Sequence, residues 1–313
     1  MKITTTSLPA LLLFVAASTV FAQAPEAEPQ CGSVTGNPAL ALDVCTRLIE
    51  FGALEPPLLA QAYYNRGTEW ASQGNHDRAV GDFSLAIELN AKLAVAYYNR
   101  ALSWSSLGQS ERAIADYTSV LKLAPKDLNA LIGRAVEATV VGDHKSALAD
   151  YDAVIRMDPN GPAGHFGRAR AKYYAGEFFT AVSDFIRVHR MEASIYTALW
   201  IYLARKRADI PGEVTLAQEA GTSGAGAWPA PLVALFLDKS TPQAVQKAAA
   251  NPDPATQREQ QCEAHFYIAQ WHLLRGAREP ALHLLREAQS LCPRTFIEHE
   301  GALAELRRLQ QKP

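Results

Sequence analysis

The sequence lacks the residue groupings that usually carry chemistry. Its eight histidines are scattered, and no His-Glu-x-x-His, Gly-x-Ser-x-Gly or phosphate-loop pattern occurs. The glycine-rich stretch 221–226 contains no lysine and follows no strand pattern, so a linker is the better interpretation. We therefore expect no catalytic residues, no cofactor and no small-molecule substrate.

An excess of charge of one sign is also missing. The chain has 30 Lys and Arg against 32 Asp and Glu, a formal charge of −2, with the two signs mixed along the sequence. A nucleic-acid backbone requires a basic stripe, so nucleic acid is not expected as a partner. Apolar residues at 48% with 20% charged residues are typical of a folded soluble protein and argue against disorder.

Cysteine is scarce, with four in the whole chain. Cys31 and Cys45 form a local pair near the start of the chain, and Cys262 and Cys292 form another near its end. No Cys-x-x-Cys occurs, which makes a zinc site the less favoured alternative, and no metal is expected. An even number in two local pairs is typical of a chain exported to an oxidising compartment. We predict one disulfide within each pair.

The first residues have the pattern of a secretory signal peptide, which we place at residues 1–22. Lys2 precedes a largely apolar run over 8–21, and small residues suited to cleavage follow. The uncharged run 3–24 is just long enough to span a membrane, so an uncleaved anchor is the alternative. No cysteine directly follows the run, as lipid attachment would require. We expect a periplasmic or secreted protein with no stable membrane anchor after cleavage.

The most regular feature is a repeated pairing of arginine with aspartate. Four arginines recur at one constant interval, and an aspartate follows each of them at one constant distance. The pairs are Arg66 and Asp82, Arg100 and Asp116, Arg134 and Asp150, and Arg168 and Asp184. A turn glycine, a small residue and an aromatic residue repeat in the same register. This is the tetratricopeptide pattern, which predicts an all-α fold: a right-handed solenoid of antiparallel helix pairs, usually used to hold other proteins or peptides.

The repeat divides the chain beyond the signal peptide into four parts. They are an N-terminal capping half-repeat over 31–59, four repeats over 60–195, an irregular helical segment over 196–258, and a C-terminal repeat with a capping helix over 259–313. In each repeat the arginine and aspartate occupy positions 7 and 23, which can face each other between the two helices of one unit or across neighbouring units. A structural salt bridge is favoured over an arginine ladder for an acidic ligand, because every arginine has its own acid.

The first helices of such repeats form the concave wall of a groove. An aromatic row beside amide and hydroxyl groups suits an extended peptide or a partner helix. The predicted wall residues are Gln61, Tyr64, Thr68, Tyr98, Leu102, Asn129, Ile132, Val136, Phe166, Arg170 and Tyr173. The alternative is that the C-terminal helices of the chain fill the groove and make these residues part of the core. Chaperone-binding modules carry lysine at position 5, where this chain has Tyr64 and Tyr98, so capture of a C-terminal carboxylate is not expected.

Segments after the fourth repeat resemble the NlpI-type family of bacterial envelope adaptors, which are tetratricopeptide lipoproteins. The resemblance rests on Leu-Trp-Ile-Tyr-Leu-Ala at 199–204, His-Phe-Tyr-Ile at 265–268, Phe-Ile-Glu-His at 296–299 and Ala-Leu-Ala-Glu-Leu at 302–306. It implies a homodimeric scaffold that brings peptidoglycan hydrolases to a periplasmic protease. An alternative of another class is a structural subunit of an envelope assembly, held through 196–258.

Overall fold

A computed structural model describes residues 38–51, 54–219 and 227–311. Within these ranges the chain forms sixteen helices and no strand. The helices are α1 Pro38–Phe51, α2 Pro56–Ser72, α3 His76–Leu89, α4 Ala94–Ser106, α5 Ser110–Leu123, α6 Leu128–Val141, α7 His144–Met157, α8 Pro162–Tyr174, α9 Phe178–Met191, α10 Ile195–Arg207, α11 Glu213–Glu219, α12 Ala230–Phe236, α13 Pro242–Ala248, α14 Pro254–Leu274, α15 Arg278–Leu291 and α16 Ile297–Gln311.

Helices α2 to α9 form a solenoid in which each helix packs on the next. Glycine ends the first helix of each pair, and Gly74, Gly108, Gly142 and Gly176 have φ values of 76°, 73°, 85° and 85°. Glycine adopts this left-handed conformation without steric cost, so the chain reverses there. The small residues at position 8 of the repeat, such as Ala101 and Ala135, are fully buried between helices.

Neighbouring repeats meet at glycines that have no room for a side chain. A Cβ built on Gly167 would lie 2.1 Å from Cε1 of Tyr151, a ring that is only 1% exposed. A Cβ built on Gly81, inside α3, would have no neighbouring atom within 4 Å.

Gly167→Ala is therefore expected to destabilise the fold by about 1–3 kcal/mol, because the buried ring of Tyr151 must be displaced. Gly81→Ala is the matched control and is expected to stabilise by about 0.5–1 kcal/mol, since alanine favours the helix. Urea denaturation of both variants measures the two effects. Equal changes in the two variants would contradict the close packing between repeats.

The segment after the fourth repeat folds inward. In α10 the residues from Ala198 to Ala204 are at most 4% exposed, and Leu232, Phe236 and Val245 join the same core cluster. Helices α14 and α15 then form one more antiparallel pair, and α16 packs on α15, α14, α6 and α8. The C-terminal part of the chain thus returns to the solenoid instead of extending it.

Candidate functional site

The repeated arginine and aspartate residues form four bidentate ion pairs inside their own repeats. Nε and Nη2 of each arginine contact the two carboxylate oxygens of its aspartate at 2.6–2.8 Å. Nη1 reaches the second helix of the preceding unit, as in Arg100 to Ser84 at 2.9 Å and Arg168 to Asp152 at 2.7 Å. Each guanidinium thus joins a helix pair to its neighbour. The arginines act as structural contacts, and the alternative of an arginine ladder for a ligand is not supported.

The first part of the groove wall is accessible. Gln61 and Leu102 are exposed, Leu102 by 44%, and Tyr64, Thr68 and Tyr98 are half-buried. We call these five residues the open wall.

Local packing holds the aromatic residues of the open wall in place. The Tyr98 ring contacts Tyr117 edge-on with centroids 5.7 Å apart, and Tyr64 lies 6.0 Å from Phe83. Asn99 Nδ2 donates to the Tyr64 hydroxyl at 3.2 Å. Burial, and secondly Asp127, raise the pKa of Tyr98, so its hydroxyl stays neutral. The open wall therefore presents fixed rings with polar edges and carries no net charge of its own.

The last part of the predicted wall is covered by the chain itself. Arg170 is 6% and Tyr173 0% exposed. Arg170 Nη1 donates to Glu300 Oε2 of α16 at 2.7 Å, and the Tyr173 hydroxyl donates to Gln270 Oε1 of α14 at 3.0 Å. Both side chains are thus buried by the C-terminal helices, which fill this part of the groove, and their contact with a partner stays a prediction.

Phe166, also predicted to line the wall, belongs with the covered residues. It is half-buried, packs against the main core cluster and lies 6.5 Å from Trp200 between ring centroids. Arg170 also stacks over it, with its guanidinium carbon 5.1 Å from the ring centroid. Its ring therefore serves the junction between the fourth repeat and the C-terminal helices.

Helix α6 marks the boundary between the open and covered parts. Its wall residues Asn129, Ile132 and Val136 are half-buried. Helix α16 lies against α6, and Arg307 donates to the Val141 carbonyl at the end of that helix. Among the residues that the structure describes, the groove is thus open along α2 and α4 and closed along α8, a division that neither sequence interpretation anticipated.

Buried acids accompany the closing helix. Glu298 and Glu300 are 4% and 5% exposed, and Glu137 of α6, also buried, accepts a hydrogen bond from Ser105. Burial raises the pKa of Glu300 in spite of Arg170, and Glu137 adds to the shift. Burial, followed by repulsion from Glu263, raises the pKa of Glu298 to about 8. These two carboxyls of α16 therefore ionise less readily in the folded protein than in water.

The structure describes both cysteines of one predicted pair and only one cysteine of the other. Cys262 and Cys292 are in disulfide geometry with their Cα atoms 4.9 Å apart, which joins α14 to the end of α15. Cys45 is buried in α1, but Cys31 lies outside the described residues, so their pairing stays a prediction.

The described ranges contain no cluster of His, Cys, Asp or Glu arranged to hold a metal ion. Among those same residues, no helix has both the length and the hydrophobicity needed to cross a bilayer. The signal peptide predicted over 1–22 lies outside the part of the chain that the structure describes.

Comparison with known proteins agrees with this architecture. A family model of the tetratricopeptide repeat matches residues 94–127, the same bounds as the second repeat of the sequence register. No curated protein matches the chain.

Among solved structures, a tetratricopeptide repeat protein from Parabacteroides merdae is similar with a TM-score of 0.58 and 16% identity, over 87% of this chain and 92% of that one. The C-terminal part of a repeat protein from Cytophaga hutchinsonii has a TM-score of 0.49 and 18% identity, covering 85% and 94%. MamA from Desulfovibrio magneticus has a TM-score of 0.48 and 17% identity, covering 51% and 90%.

The class of protein follows from the helix pairs and their repeat. The chain carries a tetratricopeptide repeat at 94–127, and its described residues have the all-helical solenoid fold of a solved tetratricopeptide repeat protein. Solenoids of stacked repeats form extended concave surfaces that can bind other proteins.

Proposed function

We propose that this protein is a scaffold of the bacterial periplasm that holds partner proteins in the open wall along α2 and α4. The observation that carries the proposal is an accessible row of Tyr64, Tyr98 and Leu102 in a groove whose other end is already filled. Rigid tyrosine rings with polar edges are typical of surfaces that bind protein segments.

The chemistry of the open wall indicates the kind of segment it takes. Tyr64 and Tyr98 stand where a carboxylate clamp would place lysine, so a chain terminus gains no charge pairing there. Leu102 instead offers an exposed apolar contact next to the amide of Gln61 and the hydroxyl of Thr68. An uncharged internal segment with spaced apolar side chains, extended or helical, fits this surface best.

The proposed periplasmic location rests on the N-terminal sequence and on one disulfide. The residues of 1–22 have the pattern of a signal peptide, and the buried pair Cys262 and Cys292 suits an oxidising compartment. The resemblance to NlpI-type adaptors supports the finer proposal that the partners are peptidoglycan hydrolases and a protease, and that the scaffold is a homodimer without activity of its own.

Site-specific photo-crosslinking tests the partners directly. A photoreactive residue at position 102, inside the groove, is compared with one at position 123 on α5, where Leu123 is 42% exposed against 44% for Leu102. Cell-wall hydrolases or an envelope protease crosslinked from 102 and not from 123 would support the proposal. Equal crosslinking from both positions would overturn it.

Leu102→Lys is expected to weaken partner binding by about tenfold or more, because a charge replaces an apolar contact at the centre of the open wall. Leu123→Lys is the control, equally exposed but outside the wall, and is expected to bind like the wild type. Affinity for a partner identified by crosslinking is measured by titration calorimetry. Unchanged affinity of Leu102→Lys would remove the open wall from the binding site.

Within the described part of 196–258, no residue favours the alternative of a structural subunit held through that segment. The apolar residues that suggested a contact surface there, such as Leu199, Trp200 and Ile201, are 0% exposed. They are used within the core of the protein itself.

A further inference from the structure

An open hollow of about 540 Å³ lies between α8 and α9, away from the groove. Its lining includes His165, Arg168, Asp184, Arg187 and Arg190. On α8, His165 and Arg168 point to a different side from Phe166, Arg170 and Tyr173, which face the C-terminal helices. The hollow is thus a separate feature from the site proposed above.

The charges inside the hollow do not cancel. Asp184 accepts hydrogen bonds from Arg168 and from Lys172 at 2.6–2.8 Å, and Arg168 also pairs with Asp152. Burial opposes its ionisation, but the hydrogen bonds from Arg168 and Lys172 lower the pKa of Asp184 overall, so it is ionised and fully paired. No carboxylate within the hollow remains for a further cation.

Two arginines remain beside this paired group. Arg187 is held by a hydrogen bond from Nη2 to the Pro159 carbonyl at 3.0 Å, which leaves its other donors available. Arg190, three residues later on α9, is exposed and forms no hydrogen bond or ion pair with any described residue. Residues three apart on a helix share a face, so both guanidinium groups can approach one ligand.

The fourth repeat differs from the other three at these positions. The residues that correspond to Arg187 and Arg190 are Leu85 and Glu88, Ser119 and Lys122, and Ala153 and Arg156. Position 4, which carries Tyr63, Tyr97 and Leu131, is His165 here. The paired arginines are thus no requirement of the repeat.

His165 supplies a second unusual group. It is 3% exposed, and its Nε2 lies 3.1 Å from the Pro159 carbonyl, the same oxygen that holds Arg187. Its Nδ1 makes no hydrogen bond. The imidazole and Arg187 are thereby fixed to one backbone atom at the edge of the hollow.

We propose that this hollow is an oxyanion site, in which Arg187 and Arg190 bind the oxygens of a phosphate or carboxylate group. Guanidinium groups present pairs of N–H donors that match such oxygens, and charge-assisted hydrogen bonds of this kind are strong and selective for geometry. The site would add a charge-specific contact to a scaffold whose groove recognises uncharged segments.

Titration calorimetry with inorganic phosphate and with acetate, at ionic strength held constant with sodium chloride, tests the site in the full-length protein. Saturable binding of either anion is expected, with at least about tenfold weaker affinity in the Arg187→Gln, Arg190→Gln double variant. Tighter binding of phosphate would assign a phosphate-bearing ligand, and equal or tighter binding of acetate a carboxylate-bearing one.

Arg156→Gln is the matched control, because Arg156 occupies the position of Arg190 one repeat earlier and has no second arginine beside it. It is expected to bind like the wild type, and melting curves confirm that all variants fold. Absence of saturable binding by the wild type, or equal loss in the control and the double variant, would overturn the proposal.

Discussion

Arg170→Met is expected to lower the free energy of unfolding by about 3–5 kcal/mol at neutral pH, the largest effect of any single substitution considered. Arg170 and Glu300 are each 7% exposed at their side chains and form an ion pair that joins α8 to α16 across 130 residues of sequence. Methionine fills a similar volume but leaves the Glu300 carboxylate buried near Glu137 without its cation.

The same variant is expected to expose the covered part of the groove. Loss of the ion pair removes a buried, charged contact between the solenoid and α16, so amide hydrogen exchange in α16 should accelerate more than in α3. Hydrogen exchange followed by mass spectrometry measures this difference. Uniform acceleration across all helices would show that α16 unfolds only with the whole protein.

Two further variants separate the charge from the packing. Arg170→Met with Glu300→Leu replaces both ions by apolar groups and is expected to recover most of the lost stability, because no unpaired charge remains. Arg156→Met, at an exposed arginine, is expected to change stability by no more than about 0.5 kcal/mol. A double variant as unstable as Arg170→Met alone would contradict the explanation by an unpaired charge.

The repeat could be recognised from the sequence because its signals are local. Gly74 ends a helix by its own backbone freedom, and Arg100 with Asp116 lie in the same hairpin, so a fixed interval along the chain is sufficient to place them. The pairing of Cys262 with Cys292 follows from the same hairpin geometry.

The closure of the groove could not be predicted in this way. It depends on contacts such as Arg170 to Glu300 and Tyr173 to Gln270, separated by 130 and 97 residues, and no period relates those positions. One signal was available. Arg170, unlike the nearby Arg168, has no aspartate at the corresponding distance along the chain, and such an arginine requires an acid from elsewhere when it is buried.

What the segment 196–258 packs against could not be predicted from the sequence, for a different reason. Its strongly apolar residues predicted that the segment is buried, but burial against the chain itself and burial against a partner protein leave the same pattern in a sequence. Trp200 has its ring 5.4 Å from both Tyr173 and Phe185, so its partner is the fourth repeat. Three-dimensional placement alone distinguishes an internal contact of this kind from an interface.

Glu298 is expected to make the protein less stable as the pH rises from about 4.5 to about 8. It is 4% exposed, and burial followed by Glu263 raises its pKa in the folded state to about 8, while Glu300 adds to the shift and Arg170 opposes it. In the unfolded chain the same carboxyl ionises at its ordinary value of 4.5. Between these two pH values the folded state holds a proton that the unfolded state has lost, so rising pH favours unfolding.

Glu298→Gln removes this dependence, because the amide resembles the protonated carboxyl and carries no charge at any pH. The variant should match the wild type at pH 4.5 and exceed its stability by about 2–4 kcal/mol at pH 8, less than the upper limit of about 5 kcal/mol that the full pKa difference would give. Chemical denaturation at several pH values measures the difference, with the exposed residue Glu287→Gln as control.

The difference in free energy of unfolding between the wild type and Glu298→Gln reports the contribution of this carboxyl separately from those of its neighbours. Burial also raises the pKa of Glu263 and of Glu300, so the whole protein should lose stability with rising pH more steeply than Glu298 alone requires. All three acids lie on α14 and α16, the helices that cover the groove. Ionisation of Glu298 therefore acts on the part of the protein that covers the groove, whereas the five residues of the open wall include no acid. A gain in stability of Glu298→Gln that is equal at pH 4.5 and pH 8 would show that the carboxyl is ionised in the folded protein throughout.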